Sequence, residues 1–143
     1  MNEKTVDLLN EIAKNTAMGK AAVEHLLKIS EDAALCHHLH KQLALYEDLG
    51  KRAAAMLAVE GAMPKEQGAL TKASAQVGIT MQTIADKSPR KLAEMLIEGS
   101  HMGATEITEA LRDNKGANEG AVALGVRLQQ AESLYAEELT SFL

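Results

Sequence analysis

Aromatic side chains are nearly missing from this sequence: Tyr46, Tyr135 and Phe142 are the only three among 143 residues, and there is no tryptophan. So few rings exclude a platform for stacking nucleic-acid bases, and they leave the core to aliphatic side chains. Cys36 is the single cysteine. An intramolecular disulfide is therefore excluded, and with it a small secreted scaffold held by disulfide staples. Surplus positive charge is also lacking. The formal net charge of -5 leaves nothing to neutralise phosphates, so nucleic acid is not an expected partner. The longest uninterrupted apolar run, Ala53 to Val59, is far short of the ~20 residues that span a bilayer. The opening stretch MNEKTVDLLNEI carries charges where a signal peptide needs an apolar run. The expectation is a soluble cytoplasmic protein with no membrane span. Runs of β-branched residues with period-two alternation are missing too, which removes the usual signature of strands.

What is present points to helices. Ala, Leu, Met, Glu and Lys dominate, and these side chains lose little rotamer freedom in a helix. With 46% hydrophobic and 24% charged residues, the chain has enough apolar surface to fold as one domain, 1–143. Residues 4–29 carry Leu9, Ile12, Ala13, Thr16, Val23, Leu26 and Leu27 at helical spacing, and Ser30 is placed to cap the next helix. The second helix is expected over 31–60, with a stripe through Leu35, Leu39, Leu43, Tyr46, Leu49, Ala53 and Leu57 before a stop at Gly61. Pro64 opens a third segment reaching about 86, poorer in large apolar groups, which is either a bundle helix or a crossover. Ser88 and Pro89 start a fourth helix that reaches about Arg112, and Asn114-Lys115-Gly116 makes a turn. The last helix, about 117–141, has a clean stripe through Ala121, Leu124, Leu128, Ala131, Tyr135, Leu139 and Phe142. The expected fold is all-α, an antiparallel bundle of four to five helices.

Glu98 and His101 have the Glu-x-x-His spacing that sets a carboxylate and an imidazole on one helix face. On this motif and on helix number and length over most of its span, the chain resembles the ferritin-like superfamily. The resemblance implies a four-helix bundle and, in metal-holding members, iron or manganese between inward carboxylates and two Glu-x-x-His motifs. This sequence departs from that pattern. No second Glu-x-x-His occurs, and a 100° wheel puts Glu98 and His101 opposite the arc of Leu92, Leu96, Gly99, Gly103, Ile107 and Ala110. Glu24 and Glu132 fall at the borders of their stripes, so four inward carboxylates are not assembled. The expectation is a ferritin-like architecture without its metal centre.

Gly99 and Gly103 cost about 1 kcal/mol each relative to alanine inside a helix, yet they lie in the apolar arc. Close approach of another helix backbone explains them, with Gly19 and Gly50 as facing contacts. Cys36, His40 and Glu47 share an arc beside the core stripe and are candidate zinc ligands, although structural zinc needs four. Gln42, Tyr46 and Tyr135 lie on inner stripes, so a buried Gln-Tyr-Tyr hydrogen-bond cluster is expected. No nucleophile with its base, phosphate loop or dinucleotide fingerprint is visible, which argues against an enzyme. Three functions remain: a bundle acting by self-association or protein binding, which is the leading reading; a metal-binding or redox protein; and a carrier of a small apolar ligand.

Overall fold

A computed structural model describes residues 2–62 and 84–143. Four α-helices occupy these residues: α1 (Glu3–Ile29), α2 (Ala33–Val59), α3 (Pro89–Asp113) and α4 (Glu119–Leu139), the last continued by a 3-10 turn over Thr140–Phe142. Each start is fixed by a side chain accepting from the backbone N–H three residues on, which satisfies a donor the helix cannot. Asn2 accepts from Thr5 at 3.1 Å and Asp32 from Leu35 at 2.8 Å. Ser88 accepts from Lys91 at 3.3 Å and Asn118 from Ala121 at 2.9 Å. Two of the stops are equally local: Gly61 (φ 75) follows α2 and Gly116 (φ 104) follows α3, both in the left-handed region that favours glycine.

The expected cap Ser30 is a correction. It ends α1 instead, its N–H donating to the Leu26 carbonyl at 2.8 Å, while Asp32 caps α2. The expected third segment, 64–86, lies outside the described residues as far as 83, and residues 84–88 are not helical.

Helix directions follow from which residues meet. Along α1 and α2, the Gly50 Cα faces Thr16 and the Gly19 Cα faces the Tyr46 ring, while Asn2 meets Glu60 at the end of α2, so this pair is antiparallel. Gln129 donates to Thr108, and Gly125 packs on Leu111, so α3 and α4 are antiparallel as well. Asn118 at the head of α4 donates its N–H to Thr5 at the head of α1, so α1 and α4 run the same way. The described chain is thus two helical hairpins, α1–α2 and α3–α4, assembled into one all-α bundle.

The core is aliphatic. Leu8, Leu9, Ile12 and Leu26 of α1 meet Leu35, Leu39, Leu49 and Leu57 of α2, and Leu92, Ile107, Leu128 and Leu139 complete it from α3 and α4. Each such side chain contributes about 1.5–3 kcal/mol on leaving water, so leucine burial carries the fold. Among the described residues, no helix is long and apolar enough to cross a membrane.

Candidate functional site

The bundle interior carries one row of polar side chains across its aliphatic core. Spacing of four places His38, Gln42 and Tyr46 on the inward face of α2, and all three are buried. Opposite them α4 presents Glu132, which is only 2% exposed. The Tyr46 hydroxyl donates to Glu132 Oε1. Gln42 Nε2 donates to the Tyr46 oxygen at 2.8 Å and reaches Ser100 Oγ of α3 at 3.5 Å. That leaves Gln42 Oε1 as an acceptor for His38 Nε2 at 3.0 Å, which fixes the proton on Nε2. Donors therefore point the same way along His38, Gln42 and Tyr46, ending on the carboxylate. At the outer end Glu138 lies 3.5 Å from His38 Nδ1 and pairs with Lys41 at 2.7 Å.

Burial dominates the titration of the row. It pushes the Glu132 carboxyl up to about 7, against the Tyr46 hydrogen bond that favours the ion. The Tyr46 phenol is pushed well above its ordinary range by burial and then by the Glu132 charge, so it remains a donor. Burial lowers the His38 pKa despite its Gln42 bond and the Glu138 charge, keeping the imidazole neutral at pH 7.

Beside this row a cavity of about 390 Å³ opens between α1 and α3. Its greasy walls include Met18, Val23 and Leu26 of α1 and Met95 and Leu96 of α3. The polar wall is Asn15, Gln42, Tyr46, Ser100 and Glu132, and the exposed Glu98 and Glu106 stand at the rim. Glu132 Oε2 is directed at Gly103, only 2.6 Å from where a β-carbon would be. Asn15 Nδ2 donates to the Gly103 carbonyl at 3.1 Å, tying α1 to α3 at the same level.

Of the residues singled out in the sequence, Gln42 and Tyr46 are joined directly. Tyr135 is buried but stands outside the hydrogen-bonded row, its ring edge-on to His38 with centroids 5.4 Å apart; Glu132 takes the place beside Tyr46 that was expected for Tyr135. Gly103 is closely approached, but by the Glu132 carboxylate and not by a helix backbone. Gly99 is exposed with open space where a β-carbon would go, so the contact expected there is absent. A β-carbon at Gly19 would lie 2.7 Å from the Tyr46 ring and one at Gly50 would lie 3.2 Å from the Thr16 hydroxyl; neither glycine faces Gly99 or Gly103. Glu98 and His101 are exposed. Cys36 Sγ donates to the Ser30 carbonyl at 3.6 Å, His40 is exposed and Glu47 is half-buried.

No group of three or more His, Cys, Asp or Glu able to hold a metal ion exists among the described residues. A ferritin-like pair of iron or manganese ions needs four carboxylates and two imidazoles. Among the described residues Glu132 is the only buried carboxylate, with amides and hydroxyls around it and Glu24 exposed, so this donor set does not fit.

Sequence reasoning missed His38, and it put Glu132 at the border of its stripe, whereas Glu132 is buried inside the bundle. His38 is detectable as the first of three polar residues spaced by four with Gln42 and Tyr46. Glu132 sits four after Leu128 and three before Tyr135, inside a 3-4 apolar repeat that could equally place Ala131 inward. No known protein family matches the sequence, and neither a curated protein nor a solved structure matches it.

Proposed function

We propose that this bundle is a binding protein for a small, mostly apolar molecule seated between α1 and α3, the carrier among the three readings. One observation carries it: a cavity of about 390 Å³ whose greasy walls converge on the buried Tyr46–Glu132 pair. Ligand sites have this make-up, a few hundred Å³ of apolar lining with a small number of placed polar groups. Since about 150 Å³ accommodates benzene, this volume suits on the order of ten to fifteen non-hydrogen atoms. Methionines suit such a wall because their unbranched side chains repack around different shapes.

The architecture is read as ferritin-like. That reading is supported by α2 and α3 running in the same direction, as their shared antiparallel relation to α4 requires. The polar row then lies between the helices where a metal-holding relative would keep its ligands, with one carboxylate retained. On composition we place the protein in the cytoplasm. Self-association has a narrower footing, the exposed Met102 and Leu143 in one shallow groove with Ile97.

The test uses 1-hexanol as a neutral probe. Saturable binding of one molecule per chain, raising Tm, is expected, and Ala22→Leu, which extends a side chain from the cavity wall, abolishes it. Binding that is absent, or unchanged in a correctly folded Ala22→Leu protein, overturns the reading.

A further inference from the structure

The charge around this cavity is one-sided. Glu132 is inside, Glu98 and Glu106 are at the rim, and among the described residues no lysine, arginine or histidine lines the space. Glu132 Oε1 takes the Tyr46 hydrogen bond, whereas Oε2 has no hydrogen-bond partner among the described residues. Glu132 is only 2% exposed, and it borders the cavity. An unpaired charge in such a place is costly, and a cation brought in by a ligand would remove that cost.

Resting on the ligand-binding reading above, we propose that the occupant is an organic cation, an aliphatic amine whose ammonium group donates to Glu132 Oε2 while its hydrocarbon body lies among Met18, Met95 and Leu96. An anion is disfavoured by all three carboxylates. A neutral alcohol could donate to the same oxygen, but it would leave the charge uncompensated.

The pairing ties binding to a proton. An alkylammonium keeps its proton across neutral pH, as lysine does with a pKa of about 10.4. Glu132, raised to about 7 by burial, must lose its proton to form the pair. Among the described residues, the other ionisable groups facing it are Tyr46 from α2, Tyr135 from its own helix, and Glu98 and Glu106 across the cavity from α3; α1 presents only Asn15, Met18, Gly19, Ala22 and other uncharged residues. The two tyrosines stay neutral near pH 7, since burial raises both. Amine affinity therefore rises about tenfold per pH unit below 7 and levels off above it.

Hexylamine and 1-hexanol, matched in carbon number, test this on the full chain by calorimetry between pH 5 and pH 8. The amine is expected to bind at least tenfold more tightly than the alcohol at pH 8, with the two converging toward pH 5. Glu132→Gln is expected to remove the preference, so that the amine binds no more tightly than the alcohol at pH 8. Glu98→Gln with Glu106→Gln should retain most of it, because solvent and salt screen exposed charges. Equal, pH-independent binding of the two probes overturns the amine assignment but leaves a ligand cavity standing. A preference that survives Glu132→Gln and disappears in the rim variant also overturns it. If neither probe binds, the ligand-binding reading fails, and this inference fails with it. Should Glu132→Gln fold poorly, the pH profile of the wild-type protein alone decides.

Discussion

Glu132 has one hydrogen bond to set against the desolvation of its charge, and its titration should be visible in stability. Its carboxyl rises from an ordinary 4.5 to about 7 on folding because burial disfavours the ion. A raised acid pKa means that the native state holds a proton the unfolded chain has lost between those two values. Stability from this group is complete below pH 4.5 and is lost as pH rises to about 7, by roughly 3 kcal/mol over the 2.5-unit gap. Glu132→Gln keeps an acceptor for Tyr46 and cannot titrate. Urea denaturation at pH 4.5 and pH 7.5 should show the wild-type protein losing roughly that amount relative to the variant. A constant difference would show that Glu132 does not titrate in this window. Gly103 belongs to the same unit, since the carboxylate takes the space of its missing side chain, whereas Gly99, a turn away, has nothing against it.

At the scale of elements, the helices read well from the sequence because their signals are local. Ser88 with Pro89 opens α3 as its spacing implies, and the stripes of α1 and α2 reach the core through Leu9, Ile12, Leu39 and Leu49. The interior site was only half legible. Gln42 and Tyr46 share a helix face, so their pairing follows from spacing, but Glu132 joins them from 86 residues away and nothing local announces that. A wheel also cannot tell whether a glycine meets a backbone, a carboxylate or open space. Even a cap can be misplaced when two candidates stand close together, as Ser30 and Asp32 do. Asp32 accepts the Leu35 N–H at 2.8 Å, while the Ser30 hydroxyl is buried with no partner among the described residues. Asp32→Ala should cost about 1 kcal/mol. Ser30→Ala should be neutral or slightly stabilising, because it removes an unpaired buried hydroxyl. Thermal denaturation of the two variants checks the contrast, and the reverse order would return the cap to Ser30.

Across the whole molecule, the two hairpins are joined unevenly. At one end Glu60 beyond α2 accepts from Asn2 at 3.4 Å and from Asn118 at 3.2 Å, placing a carboxylate beside the N-termini of α1 and α4, where helix dipoles favour it. Lys4 donates to the Asp113 carbonyl and Asn118 to Thr5, so all four helices are tied there. Further along, the cavity stands between α1 and α3 from the level of Asn15 and Gly103 to that of Leu26 and Met95. Helix segments facing empty space have fewer packed neighbours, and local opening is easiest where packing is thinnest. Hydrogen exchange should therefore be faster over residues 18–26 of α1 and 95–103 of α3 than over 5–12 and 107–113 of the same helices. A bound amine should slow the first set and barely change the second, since it supplies contacts only where the cavity lies. Uniform protection along α1 and α3 without ligand would show that the cavity is closed in solution. Slowing spread evenly over both helices on adding amine would place the ligand elsewhere than between them.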